Sequence, residues 1–435
     1  MKNVIKMSLA TAMMMSVGSV SAQADDGIKI FDDIKFKGEL RPRYQLTDND
    51  ATASSKGSTF TNRTNLNISA KLLEVDGLKA TVELNSVNDF NTLDQNDKDL
   101  AGEADVAKMS QAKIEYGVSG ANLTVGRSTT NLDNQRFIGS VGWKQNFQTL
   151  DLVSAAYNKD SLSLFAAYVY GVNAIGDDGN GEQGIYYGIN RTTDAIVAGG
   201  GTASGATSTA LVNASYKAMD ELTLTAYSYM IGSVSDTYGL ALTGKAKAGD
   251  IGITYRAEYA TQTDATLEVK SYGKAERESD YYNLDLGVNM SGILAGVNYE
   301  VLGAGKDGGL NGSAAGFQTP FATKHKFNGW ADMFLVTPTT GLVDANLMVG
   351  YTAKDFGVAK VIYHTFEADR GSTDYGDEID LIYINKVPGL VGVTGMLKAA
   401  FYSGESEAAG FGLNGSNLDK DMTKFWAMLD YKFSI

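Results

Sequence analysis

Apolar and polar side chains alternate without a break from Ile34 to Gln45, and the same alternation recurs to the end of the chain. Ile34, Phe36, Gly38, Leu40, Pro42 and Tyr44 form one face; Lys35, Lys37, Glu39, Arg41, Arg43 and Gln45 form the other. A period of two belongs to an extended strand with one apolar and one charged side. Leu66, Ile68, Ala70 and Leu72 repeat it, as do Leu284, Leu286, Val288 and Met290, and then Ile293, Ala295, Val297 and Tyr299. No segment carries the helical period over several turns, so the chain is expected to be all-β.

The connections between alternating segments are short and long in turn. The short ones are Val75-Asp76-Gly77, Gly117 to Ala121, Asn158 to Ser161, Ala218 to Glu221, Ala246 to Asp250, Ser291-Gly292, Ala353 to Gly357 and Val387 to Leu390. The long ones cover 46–58, 89–105, 127–148, 171–208, 231–236, 262–280, 303–342, 366–375 and 404–422. Eight short and nine long connections predict eighteen antiparallel strands with both ends on the short-turn side. An even strand count, short periplasmic turns and long outer loops are the pattern of an outer-membrane β-barrel. The barrel must close, because lipid cannot satisfy an open sheet edge.

Composition agrees. The apolar faces of the strands starting near Ile34, Leu78, Ile251, Tyr282, Ile293 and Phe425 carry no charge, where one Lys or Arg at the midplane would cost roughly 2–4 kcal/mol. Tyr116, Tyr157, Tyr216 and Tyr351 precede short turns, and Tyr168, Tyr170, Tyr229 and Tyr259 lie near the opposite strand ends. Both sets are expected in aromatic girdles. A soluble sandwich would need large apolar cores and rarely reaches so many strands. With no cysteine there is neither a disulfide framework nor a thiolate site. Lys2 and Lys6, the uncharged run Met7 to Val20, and small residues up to Ala22 or Ala24 read as an export signal over 1–24, leaving a single barrel domain over 25–435. The formal charge of −14 becomes about −16 once the signal's two lysines are removed, which excludes nucleic acid as a partner.

The strand register sorts the charge. Lys35, Lys37, Arg41, Arg43, Arg63, Lys71, Lys79, Lys113, Arg256, Lys360, Lys398, Lys424 and Lys432 fall on the inward face. So do the acids Glu39, Glu83, Glu115, Asp151, Glu258, Asp285, Glu300 and Asp430. A mildly basic lumen draws anions; pairing of those charges across strands is the alternative. The excess acid is expected in loops, as at Asp94, Asp97, Asp99, Glu103 and Asp105, and at Asp177, Asp178 and Glu182.

Catalytic chemistry is missing. His325 and His364 are the only histidines and share no metal-ligand spacing. Gly303, Gly305 and Gly308 match a dinucleotide fingerprint in letters, but no helix follows. Gly239 to Lys245 nearly spells a phosphate loop, but Ala246 replaces the hydroxyl residue and both flanks read as strand. No cofactor or enzymatic activity is expected.

Two stretches stand apart from generic barrel sequence. One holds Gly126-Arg127, Asn131 to Gly139, Trp143 to Asn146 and Gln148 to Asp151. The other holds Thr319 to Thr323, His325 to Asp332, Thr337-Pro338 and Gly341-Leu342, followed by Asp374 to Asp380. They resemble the alginate-export family of outer-membrane porins. The resemblance implies an eighteen-stranded barrel with an arginine-rich constriction that passes an anionic polysaccharide. Arg127, Arg136 and Lys144 lie in the resembling stretch; Arg41, Arg43 and Arg63, with Glu39 and Glu83, join the pore-lining set through strand register. The segment Arg127 to Gln148 carries Phe137, Trp143 and Phe147 and is poorly suited to standing in water. It is expected to fold into the barrel and narrow it, with Arg136 and Lys144 facing the channel; an outer loop packed on its neighbours is the alternative.

The expectation is therefore a passive outer-membrane porin for small hydrophilic solutes, anions among them. An export channel for an anionic polysaccharide such as alginate is the alternative. Its partners would be outer-membrane lipid, lipopolysaccharide and the solute or an anionic oligosaccharide, with homotrimer and monomer both open. A barrel enzyme and a plugged structural barrel are the other classes weighed. Two isolated histidines argue against the first, and conductance would exclude the second.

Overall fold

The computed structural model describes residues 30–50, 56–90, 106–176, 188–190, 195–197, 205–267, 278–305, 316–409 and 417–435. The expected export signal and both acidic loop clusters lie outside these residues.

The strands are β1 (Phe31–Asn49), β2 (Gly57–Leu72), β3 (Leu78–Asp89), β4 (Ala107–Val118), β5 (Ala121–Ser128), β6 (Thr149–Lys159), β7 (Leu162–Asn173), a small hairpin β8 (Gly188–Asn190) and β9 (Ala195–Val197), then β10 (Gly205–Met219), β11 (Leu222–Ile231), β12 (Ser235–Ala248), β13 (Ile251–Thr263), β14 (Ser279–Met290), β15 (Ile293–Leu302), β16 (Leu342–Ala353), β17 (Gly357–Glu367), β18 (Asp374–Lys386), β19 (Val393–Gly404) and β20 (Met422–Ser434). Eighteen of them form one antiparallel sheet in which each strand pairs with its neighbour in sequence, β7 passing directly to β10. β1 pairs with β20 from Lys37↔Ser434 to Asn49↔Met422. That pairing closes the sheet into a barrel and leaves no edge, as a lipid-embedded sheet requires.

All eight short turns fall where the alternation places them. Ser291 (φ 53°) and Gly292 (φ 89°) are both left-handed, the type I′ geometry that matches the twist of a two-residue hairpin. Ser119 and Gly120 repeat it between β4 and β5. At Gly292 a Cβ would run into the Thr352 carbonyl oxygen, so a side chain there meets both a left-handed φ and a clash. The near-phosphate-loop stretch at 239–245 lies inside β12 and is strand throughout.

The apolar residues of the alternation face outward. Leu240 is 63% exposed and Leu284 59%, with Leu286, Val297, Leu347 and Leu397 close behind; in a bilayer these positions meet hydrocarbon. Tyr116, Tyr216 and Tyr351 border the short turns on this face, and Tyr168, Tyr170 and Tyr259 border the long loops. Tyr229 departs from the girdle expectation. It lies on the inward side of β11, 2% exposed and stacked on Tyr227 at 4.8 Å.

The core sits inside the barrel. Phe137 packs against Tyr227 (5.1 Å), Tyr281 (5.4 Å) and Phe317 (5.9 Å), with Leu152, Val169 and Leu211 buried in the same cluster. Phe137 and Phe317 come from long loops, so the loops themselves supply part of the lumen's apolar filling.

Candidate pore constriction

The 129–148 loop, between β5 and β6, lies within the barrel. Arg41 and Arg63 stand directly opposite each other on β1 and β2, a like-charged cross-strand pair that is unfavourable alone. The loop's carbonyls and one carboxylate compensate. Arg41 Nη1 donates to the Gly142 carbonyl at 3.0 Å, and its Nη2 donates to the Lys144 carbonyl at 2.6 Å and the Trp143 carbonyl at 3.3 Å. Arg43 Nη1 donates to the Trp143 carbonyl at 3.0 Å, and Arg63 Nη1 to that of Lys144 at 3.1 Å. Arg63 Nη2 also meets both Glu39 oxygens at 2.6 Å. Gln145, fully buried, donates to the Arg41 carbonyl and to Thr61, and accepts from Arg41 Nε. Asn85 of β3 donates to the Gln145 carbonyl at 3.1 Å.

The loop is fastened on the far side too. Arg136 forms a two-pronged pair with Glu300 of β15 (2.7 and 3.1 Å), both side chains 2% exposed, and reaches Asn328 at 2.8 Å. Arg256 of β13 pairs with Asp133 and with Glu258. The loop therefore bonds to β1–β3 at one end of its course and to β13 and β15 at the other, which carries it across the lumen.

A second inward segment, 316–341, between β15 and β16, packs against the first. Gly139 N donates to the Phe321 carbonyl at 2.8 Å and Thr323 N to that of Gln135 at 3.1 Å. Gln148 donates to the Phe321 carbonyl at 3.0 Å. The segment is held to the wall by Glu378, which accepts from Ala331 N at 2.7 Å, and by Asp380, which accepts from Trp330 N at 3.2 Å. Gln318 N donates to Gln262 of β13 at 2.9 Å.

The structure places the predicted site residues at these positions. Arg41, Arg43 and Arg63 are on the inward face but buried beneath the 129–148 loop, which they hold. Glu39 braces Arg63, and Glu83 accepts from Ser110 (2.7 Å) and Asn67 (3.0 Å). Arg127 is half-buried and pairs with Asp151 at 2.8 Å. Lys144 is half-buried on the loop. Arg136 corrects the expectation for it: it faces Glu300 and Asn328 rather than open channel, because its buried charge is neutralised there by the Glu300 carboxylate. His364 is a wall residue that bonds Asp344 at 2.8 Å. Among the described residues no group of three or more His, Asp or Glu side chains could hold a metal ion.

Two cavities open along the inner wall, the first against both loops and the second between strands alone. One of about 360 Å³ is bordered by Arg256, Asn283, Asp285, Asn298, Asn346 and His364 among others. Its wall is a ladder of amides across β14, β15 and β16: Asn346 donates to Asn298 at 3.4 Å and Asn298 to Asn283 at 3.1 Å. The other, about 470 Å³, is bordered by Lys37, Glu39, Asn65, Glu83 and Lys432. Charge is divided between the walls. Lys35, Lys37, Arg41, Arg43, Arg63 and Lys432 outnumber Glu39 and Asp430 on β1, β2 and β20, while Asp285, Glu300, Asp344, Glu378 and Asp380 outnumber Lys360 on β14–β18. The amide ladder went unread in the sequence, although each asparagine sits at an inward position of its strand.

Residues 32–196 match the family model for alginate export. The resemblance read from Gly126 to Asp151 is borne out; the second resembling stretch lies beyond the matched residues. In solved structures, Acinetobacter baumannii OccAB2 is similar with a TM-score of 0.69 and 14% identity, over 93% of this chain and 99% of that one. Pseudomonas aeruginosa OpdK gives 0.67 and 14% over 93% and 100%. Pseudomonas aeruginosa OccK2 (OpdF), solved in complex with glucuronate, gives 0.67 and 12% over 93% and 99%. OpdK has also been solved with vanillate. Among curated protein sequences none matches this chain. At these identities the structures establish the fold: the chain is a closed eighteen-stranded antiparallel β-barrel, the fold of the outer membrane protein OpdK.

Proposed function

We propose that the protein is a passive outer-membrane channel for small hydrophilic solutes, with a preference for anions, and that it carries out no catalysis. The observation that carries this reading is the pair of inward loops fastened across the lumen of a closed barrel, with Arg41, Arg43 and Arg63 gathered on one wall beneath them. Loops that narrow a water-filled barrel set its size limit, and the charge along the wall sets its ionic preference. OpdK and OccK2, which share the fold, were solved with the carboxylates vanillate and glucuronate, and small carboxylates are the solutes this reading favours. Lys144, at the loop's half-buried edge, contributes charge to the passage. Lys144→Glu is expected to move the reversal potential in a salt gradient towards cation preference; an unchanged permeability ratio overturns its role.

The family match favours a second reading, export of an anionic polysaccharide. Uptake of radiolabelled uronate by vesicles, compared with passage of a uronate polymer, separates the two. Residues 1–24 act as an export leader, which the mass of the mature chain tests. The outward apolar band meets lipid and lipopolysaccharide, and analytical ultracentrifugation in detergent distinguishes a trimer from a monomer.

A further inference from the structure

The chain has three tryptophans, and all three surround one lysine. Lys398 Nζ lies 3.7 Å from the centre of the Trp330 ring, 4.3 Å from Trp143 and 5.5 Å from Trp426. It also donates to His325 Nε2 at 2.7 Å. An ammonium has no acceptor, so His325 carries its proton on Nδ1 and donates it to Asp332 at 2.6 Å. Asp332 in turn meets Lys424 at 3.3 Å. Trp143 stacks on His325 at 4.6 Å with the rings 10° apart.

These groups come from three parts of the molecule. Lys398 on β19 and Trp426 on β20 are cross-strand neighbours in the wall. Trp143 belongs to the 129–148 loop; Trp330, His325 and Asp332 belong to the 316–341 segment. Lys398 is 5% exposed. A buried ammonium is costly unless its surroundings replace water, and indole faces do so by attraction to the cation. Two of the three indoles, and the imidazole acceptor, are present only while both loops are docked. The lysine therefore favours docking of the two loops together over docking of either alone.

We propose that Lys398 is a positioning residue for the constriction: it latches the two inward loops to the β19–β20 wall, and its loss widens the passage. This rests on the porin reading above. The test compares wild type, Lys398→Met and Lys360→Met in planar bilayers, with acrylamide quenching of tryptophan fluorescence measured on the same preparations. Lys360 is an inward lysine on β17, so its replacement removes wall charge without touching the latch. Lys398→Met is expected to raise single-channel conductance and tryptophan quenching, while Lys360→Met shifts only the reversal potential. If Lys398→Met fails to assemble, Trp330→Leu, which leaves the wall intact, is expected to give the same two rises. Conductance and quenching both unchanged in the assembled variant overturn the latch. A wild type without current steps overturns the porin reading instead, and quenching then still decides whether Lys398 holds the loops.

Discussion

At the scale of single residues, the inward loops are held by charges that cannot be removed one at a time. Arg136 and Glu300 are both buried, and each satisfies the other. Arg136→Met leaves the Glu300 carboxylate without its cation, a change of the kind that costs about 3–5 kcal/mol. Hydrogen exchange in 129–148 is expected to accelerate in this variant and to recover in large part when Glu300→Leu is added. Equal exchange in wild type and Arg136→Met would show that the pair does not secure the loop. His325 gives a pH dependence of definite sign. Burial, with Lys398 and Lys144 nearby, holds it down to about 3 from its ordinary 6.5, against the pull of Asp332. The docked form therefore refuses a proton that the undocked form accepts, and docking weakens as pH falls from about 6.5 towards 3. Tryptophan quenching is expected to rise between pH 7 and 4 in wild type; His325→Gln should flatten that rise, and an identical rise in the variant contradicts the assignment.

At the scale of strands and loops, the hairpins and the outward face make separate predictions. Gly292→Val places a β-branched side chain at a left-handed φ and against the Thr352 carbonyl. It should destabilise the β14–β15 hairpin by about 1–2 kcal/mol or more, seen as a lower urea midpoint in lipid vesicles. Leu286→Arg, on the lipid side of β14, should cost roughly 2–4 kcal/mol in the same assay; a midpoint unchanged from wild type would remove Leu286 from the lipid face. The contrast between strands and loops also explains what was legible beforehand. Alternation is a local property, so strand number, the eight short turns and the inward placement of Arg41, Arg43 and Arg63 could all be read from neighbours. What covers those arginines could not. Gln145 meets Arg41 across 104 positions, and Asn328 meets Arg136 across 192, distances at which no periodicity connects the partners. The Trp143 and Phe137 content of the 129–148 loop did signal that it must be buried, but not that Trp330, Trp426 and Lys398 would complete its site. Nearness to a strand end suggests a girdle position for Tyr229, but parity decides: Leu224, Ala226, Ser228 and Met230 share the outward side of β11, which turns Tyr229 inward.

At the scale of the whole molecule, a closed barrel whose inner wall leans basic on β1, β2 and β20 and acidic on β14–β18 is filled in part by its own loops. Loops so placed either leave a passage or seal it, and a channel requires the first. Single-channel recording of the purified wild-type protein in planar bilayers, followed by the reversal potential in a salt gradient, tests this most directly. An open passage gives discrete current steps with a reversal potential on the anion-selective side. An incorporated, heat-modifiable barrel that gives no current steps would contradict it.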